Sequence, residues 1–248
     1  MLWATCLLLL AGVTHARSAG HIEAGMFSSS SISETLPAGW QPQTFRRIKR
    51  HTGYFLVEND GTIVVKAVSD RSASGLMRAI SISPVQFPIV QWRWKVNNVL
   101  QKGDVTSKDG DDYPARLYIA FAFDPDKAGY LDRLEYEAAR LIQGKDIPYR
   151  AISYIWGNNA PAGTMIPNAY TDKVMMFVVE SGAAKLQQWV TERRNVYQDY
   201  QKAFGEEPAM ISGVAIMTDT DNTGESAVAW YGDIVFRSKQ GDAGRVAD

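Results

Sequence analysis

The stretch Ile89-Val90-Gln91-Trp92-Arg93-Trp94-Lys95-Val96 alternates apolar and polar residues without a break. Side chains two apart share one face of a strand, so Val90, Trp92, Trp94 and Val96 point one way. Gln91, Arg93 and Lys95 point the other way. One face of this strand is wholly apolar. Its two tryptophans are read as core, with a stacking platform for a sugar as the alternative. Arg93 and Lys95 form the accessible pair.

Towards the N-terminus, Tyr54–Glu58 and Thr62–Val68 flank Asn59-Asp60-Gly61. Asp-Gly between two β-rich runs is a strong hairpin signal. Upstream, Gly39-Trp40-Gln41-Pro42 reads as a turn and Phe45–Ile48 as a short strand. The basic residues Arg46, Arg47, Lys49 and Arg50 read as the solvated face of an edge. Towards the C-terminus, Ala115–Phe123 alternates again, with Leu117, Ile119, Phe121 and Phe123 on one face. Further strands are expected at Ala151–Trp156, Val174–Glu180, Leu186–Glu192, Ile211–Met217 and Ala227–Phe236.

Helical spacing appears twice. Leu131, Leu134, Ala138, Leu141 and Ile142 end at Gly144, where a C-cap belongs. Val196, Tyr197, Tyr200 and Phe204 follow Asn195 and end at Gly205. Many strands, few helices and no internal repeat predict an all-β protein with minor helices. The architecture expected is a two-sheet β-sandwich of jelly-roll type.

The chain opens with an apolar core, Leu7 to Val13, too short for the roughly 20 residues that span a bilayer. It ends at Thr14-His15-Ala16, which reads as a signal peptide over residues 1–16. A flexible lead-in is expected over 17–35, a single sandwich domain over 36–237 and a disordered tail over 238–248. Without a membrane span in the mature chain, the expected location is periplasmic or secreted. The only cysteine, Cys6, lies in the signal, so the mature chain is expected to lack disulfides and thiolate chemistry. A net charge of −1 gives no bulk attraction to nucleic acid.

Three polar loops carry the candidate chemistry. The first is Thr218-Asp219-Thr220-Asp221-Asn222-Thr223-Gly224-Glu225. Asp219, Asp221 and Glu225 offer hard oxygens at short spacing, as calcium requires, although Asx residues also build turns of their own. A calcium site, a structural turn and a ligand contact all stay open. No other cofactor is expected. The second loop is Asp109–Arg116, where the adjacent carboxylates Asp111 and Asp112 repel and call for a cation or several N–H donors, with Arg116 a candidate partner. The third is Tyr154–Asn159, where Tyr154, Trp156 and Asn158 combine stacking with amide hydrogen bonds.

Several enzyme classes lose their residues. Beyond the signal only His21 and His51 remain, and no Gly-x-Ser-x-Gly elbow, HExxH motif, Cys/His cluster or nucleotide fingerprint occurs. Two carboxylates alone would still suffice for a glycosidase.

The segments Trp92–Val96, Gly110–Arg116, Ile152–Asn158, Arg194–Tyr197, Asp219–Gly224 and Tyr231–Ile234 together resemble a bacterial domain-of-unknown-function family, the one numbered 3047. The resemblance runs from about Phe27 to Phe236 and brings no established activity. More loosely, the ending of the chain is similar to galactose-binding-like carbohydrate-binding modules. Fold-level likeness does not fix function.

The expected function is non-catalytic binding of a polar ligand, a glycan or cell-envelope saccharide, at Arg93, Asp111, Asp112, Arg116, Tyr154, Trp156, Asn158, Asp219 and Asp221. The alternatives are a carboxylate-dependent polysaccharide hydrolase and a structural or protein-interaction domain of the bacterial envelope. No particular oligomeric state is implied. The three loops matter together only if they converge.

Overall fold

Among the described residues the alternating segments become thirteen strands in two sheets. This computed structural model describes residues 20–126, Gly129, Tyr130, Arg133, Tyr136 and 149–239. The signal expected over 1–16, the helical stripe from Leu131 to Ile142 and the tail beyond residue 239 lie outside the described residues.

The six-stranded sheet contains β1 (His21–Gly25), β3 (Gly53–Asn59), β4 (Thr62–Asp70), β6 (Ile89–Val96), β11 (Val190–Asn195) and β13 (Ser226–Arg237), in the order β11-β6-β13-β4-β3 with β1 pairing the far end of β13. The seven-stranded sheet contains β2 (Gln41–Gln43), β5 (Ala73–Ile82), β7 (Arg116–Phe121), β8 (Arg150–Gly157), β9 (Met165–Asn168), β10 (Thr171–Ser181) and β12 (Ile211–Asp219), in the order β2-β5-β12-β7-β8-β10-β9. Only β8 and β10 run parallel among these pairs. The protein is a mostly-β, two-sheet sandwich.

The apolar face of β6 meets β8 across the sandwich. Trp92 stacks on Tyr154 with ring centroids 5.1 Å apart, and Trp94 lies 6.2 Å from Trp156. All four rings are buried. Of the two readings of Trp92 and Trp94, burial is the one realised. Leu117, Ile119 and Phe121 of β7 join them in the core. Period-2 patterning therefore placed these residues correctly, because each has one face against the other sheet.

The hairpin at Asn59–Gly61 forms as read, with Asp60 and Gly61 both at positive φ. Helix α1 (Val196–Phe204) also forms as read. The Asn195 side chain accepts from the Gln198 amide at 3.1 Å, and Gly205 closes the helix at φ 70°. Tyr200 packs 4.4 Å from Phe121, which docks the helix on the end of β7.

Four segments differ from expectation. Phe45–Ile48 is a turn, closed by the Ile48 amide on the Phe45 carbonyl at 2.9 Å. The strand lies just before it, at Gln41–Gln43, where Pro42 is tolerated because β2 is an edge. Leu186–Trp189 is turn and irregular chain, with Gln187 at φ 61°, so β11 begins only at Val190. Residues His21–Gly25 of the lead-in form β1, and the following 3-10 turn Phe27–Ser29 buries Phe27 in the core.

Edge strand β11 carries one unfavourable charge. Glu192 pairs with Trp92 in register, which turns its carboxyl towards the interior. Burial, with Glu180 adding repulsion, pushes the Glu192 carboxyl up to about 7, against the opposing pull of the Trp94 indole, Lys185 and Arg194. The folded state thus holds this proton more tightly than the unfolded chain does. Its contribution to stability is complete below the ordinary glutamate range and disappears as pH rises through about 7. Urea unfolding should show Glu192→Gln more stable than the parent at pH 8 by on the order of 1–2 kcal/mol, allowing for its partial exposure. The two proteins should converge near pH 4, whereas parallel pH profiles would contradict this account.

Candidate functional site

Two of the three polar loops converge at one end of the seven-stranded sheet. Arg116 opens β7 and is 2% exposed. Its guanidinium donates through Nε to Asp219 Oδ1 at 2.9 Å and through Nη2 to Asp219 Oδ2, a bidentate pair across β7 and β12. It also donates through Nη2 to the Asp111 carbonyl, and through Nη1 to the Tyr118 hydroxyl at 3.0 Å and to Asp111 Oδ1 at 3.4 Å. The Tyr113 ring lies 4.2 Å from the guanidinium carbon. Burial pulls the Arg116 pKa down, but Asp219, Tyr118 and Asp111 outweigh it and keep the group charged. Burial pushes the Asp219 carboxyl up, Arg116 pulls it down, and Asp112 and Asp111 push it up again.

Asp112 and Asp221 complete the cluster. Asp112 is 1% exposed. Its Oδ2 accepts the Thr223 amide at 2.6 Å, which joins the second loop to the first. Its Oδ1 is buried without a hydrogen-bond partner. One carboxylate oxygen from each of Asp112, Asp219 and Asp221 lies within 4.8 Å of the others. The carboxylate trio is therefore not the one read from sequence. Glu225 turns away, accepting the amides of Gln101 at 3.0 Å and Lys102 at 2.8 Å, because the tight turn before it places its side chain on the neighbouring loop.

The third loop does not join them. Tyr154 is wholly buried and donates to Asp199 at 2.8 Å, and Asp199 in turn is held by Arg194 at 2.6 and 2.9 Å. Trp156 is buried and donates to the Gly182 carbonyl at 3.1 Å. Neither ring is presented to a ligand, because both lie on the inward face of β8. Asn158 donates to the Gln101 carbonyl at 3.2 Å and lines a separate cavity of about 400 Å³ between residues 101–106 and 158–160. Asp111 and Asp219 grip one guanidinium in a buried pair, so they do not face each other across a cleft as paired glycosidase carboxyls do.

Arg93 lies elsewhere, on the outer face of the six-stranded sheet. There the register places four residues in a row across four strands, and a fifth follows from the chain just outside β11. Phe55 of β3 pairs with Lys66 of β4, Lys66 with Trp230 of β13, and Trp230 with Lys95 of β6. Trp189, just before β11, stands beside Lys95. Aromatic and cationic side chains alternate along this row. Lys95 Nζ lies 5.1 Å from both tryptophan ring centroids, and Lys66 Nζ lies 5.8 Å from Trp230. Lys95, read from the sequence as accessible together with Arg93, is instead buried, because Trp189 and Trp230 flank it and the hairpin tip reaches over it. Three strand spacings make the part in register, Phe55 to Lys95, roughly 14 Å long. The tip of the β3–β4 hairpin fixes one end, with Asp60 accepting from Lys95 at 3.1 Å and from the Trp189 indole at 2.9 Å. Phe55 is 53% exposed at the other end.

Beside the row, Arg93 lies 4.5 Å over the Trp189 ring and enters a cavity of about 400 Å³ shared with His21, Glu23, Asp233 and Arg237. Gly232 makes room for it, since a Cβ there would come within 2.5 Å of Arg93 Cγ. Asp233 is already engaged by the Ser28 amide and hydroxyl at 2.9 and 2.6 Å. Arg93 and Lys66 make no ion pair with a described carboxylate. Among these residues sequence reading singled out only Arg93 as a candidate ligand. The signal for the rest was the polar parity of β6, but cross-strand register was needed to bring Trp189, Trp230, Lys66 and Phe55 alongside.

The profile of a protein family described only as being of unknown function, DUF3047, matches residues 38–235. The chain belongs to DUF3047. The resemblance carried by the sequence motifs is thereby confirmed, and both the buried cluster and the whole aromatic–cationic row fall inside the matched span. No curated protein matches the DUF3047 chain significantly. Among solved structures, a cleaved adhesin domain of Lys-gingipain is 12% identical with a TM-score of 0.38, covering 87% of this chain and 97% of that one. A family 29 carbohydrate-binding module is 10% identical with a TM-score of 0.37, covering 87% and 86%. A low-affinity xylan-binding module from Roseburia intestinalis is 13% identical with a TM-score of 0.31, covering 82% and 97%. At scores this low the likeness carries no functional argument.

The cluster makes a clear mutational prediction. Arg116→Met keeps much of the volume but leaves Asp219 and Asp111 buried beside each other without their cation. Chemical denaturation at pH 7 should show a loss of about 3–5 kcal/mol. A loss below about 1 kcal/mol would mean that the pair is not holding β7 to β12.

Proposed function

We propose that this DUF3047 protein binds an acidic saccharide non-catalytically across the outer face of its six-stranded sheet. The observation that carries this reading is the alternating row Trp189, Lys95, Trp230, Lys66 and Phe55. Partly exposed aromatic rings offer flat apolar surfaces to sugar rings, and Lys66 within the row and Arg93 beside it offer charge to carboxylate substituents, whereas Lys95 is buried and held by Asp60. Arg93 and Lys66, which make no ion pair with a described carboxylate, favour an acidic ligand over a neutral one. The nine residues singled out from sequence do not form this surface, apart from Arg93. The others build buried pairs or loop contacts.

The reading extends the expectation of export, with a signal over residues 1–16 and a periplasmic or secreted location, where envelope or environmental polysaccharides are met. Among the described residues no helix is long and apolar enough to cross a membrane.

A glycan array containing uronate oligosaccharides and neutral counterparts tests the proposal. The full chain should retain the uronate oligomers at low salt and release them as ionic strength rises. Trp230→Ala should weaken binding roughly 10- to 100-fold, the range of an aromatic anchor. Lys66→Ala should weaken the acidic ligand selectively. Absence of any saccharide binding, or binding untouched by Trp230→Ala and Trp189→Ala, would overturn the assignment.

A further inference from the structure

We infer that Asp112, Asp219 and Asp221 form a calcium site where the loop before β7 meets the turn after β12. The first observation is the convergence of three carboxylate oxygens within 4.8 Å of one another. Calcium–oxygen bonds of about 2.3–2.6 Å allow two ligands on opposite sides of the ion to lie about 5 Å apart, so one ion can touch all three. The second observation is independent of the first. Asp112 is 1% exposed, yet its Oδ1 has no hydrogen-bond partner. A buried carboxylate oxygen without a donor is costly unless a cation completes it.

The local charge inventory points the same way. Around Asp111, Asp112, Asp219 and Asp221, the buried guanidinium of Arg116 pairs with Asp111 and Asp219 alone. Arg116 satisfies both oxygens of Asp219 and contacts Asp111, but no hydrogen bond links it to Asp112 or Asp221. The nearby lysines are directed elsewhere. Lys102 Nζ donates to the Thr223 carbonyl at 3.1 Å, and Lys108 Nζ lies 5.3 Å from the Tyr170 ring. A divalent ion offsets the remaining negative charge. The donor set is all oxygen, as a hard cation requires. Asp221, half-buried, provides the open side of the site, where waters complete the six to eight ligands that calcium takes.

The site lies at a strand end of the seven-stranded sheet, whereas the aromatic–cationic row crosses the outer face of the six-stranded sheet. Calcium binding and saccharide binding therefore stand or fall separately.

Calorimetric titration of the chelator-stripped full chain with calcium chloride, paired with thermal unfolding, tests the inference. Calcium should bind with a stoichiometry of one. At free calcium about a hundredfold above Kd it should raise Tm by roughly 5–10 °C. Magnesium, which tolerates only a tighter octahedron, should do less. Asp221→Asn should fold and lose the calcium-dependent shift. Asp112→Asn keeps an oxygen for the Thr223 amide while removing a charge, so it should raise the metal-free Tm and also lose the shift. No calorimetric binding with no Tm shift would overturn the site. So would a shift as large in Asp221→Asn as in the parent, or a larger response to magnesium than to calcium.

Discussion

The bidentate ion pair between Arg116 and Asp219 joins β7 to β12 where both are shut off from water. A buried guanidinium tolerates no vacancy among its partners, so the loop before β7 must return Asp111 to it, and the turn after β12 must keep Asp219 in line. The neighbouring hydroxyls extend the same joint. Thr218 donates to the Pro114 carbonyl at 2.8 Å, and Thr52, just ahead of β3, donates to the Thr218 carbonyl at 2.7 Å. The second of these bonds crosses from one sheet to the other. This end of the sandwich is specified by polar geometry as much as by apolar packing.

Much of the fold was legible because the sandwich imposes a period of two on every strand that separates core from solvent. Trp92, Trp94, Leu117 and Phe121 obeyed it, and Asn195 and Gly205 marked the helix ends through capping chemistry. The failures share a cause. Pro42 reads as a turn residue, yet an edge strand asks nothing of its missing N–H. Leu186 and Trp189 carry apolar side chains in an irregular segment because Trp189 packs under Arg93 and bonds Asp60, not because they extend a strand. The lead-in becomes β1 because the far half of β13 outruns β4 and leaves an edge to pair.

The candidate site was legible in a different proportion. The sequence shows that Asp111, Asp112, Asp219 and Asp221 are too many acids to leave without partners, and their loops do meet. It does not show which carboxyls share a partner, and so Glu225 took the place that belongs to Asp112. Tyr154 and Trp156 look like ligand-stacking residues in one dimension, but strand parity turns both inward. The row on the outer face had the weakest signal. Its members lie more than 170 residues apart at the extremes, and only the pairing of β3, β4, β13 and β6 aligns them.

The structure therefore separates two tasks that the sequence ran together. The acidic loops build one end of the sandwich, and the outer face of the opposite sheet carries the partly exposed rings of Trp189 and Trp230 with Lys66 and Arg93 beside them. The indole N–H signals of the tryptophans, followed by nitrogen-edited NMR as a uronate oligosaccharide is added, test this separation most directly. The account predicts saturable shifts at Trp189 and Trp230 with Trp92, Trp94 and Trp156 unmoved. Shifts confined to the three buried indoles, or none at saturating oligosaccharide, would contradict it.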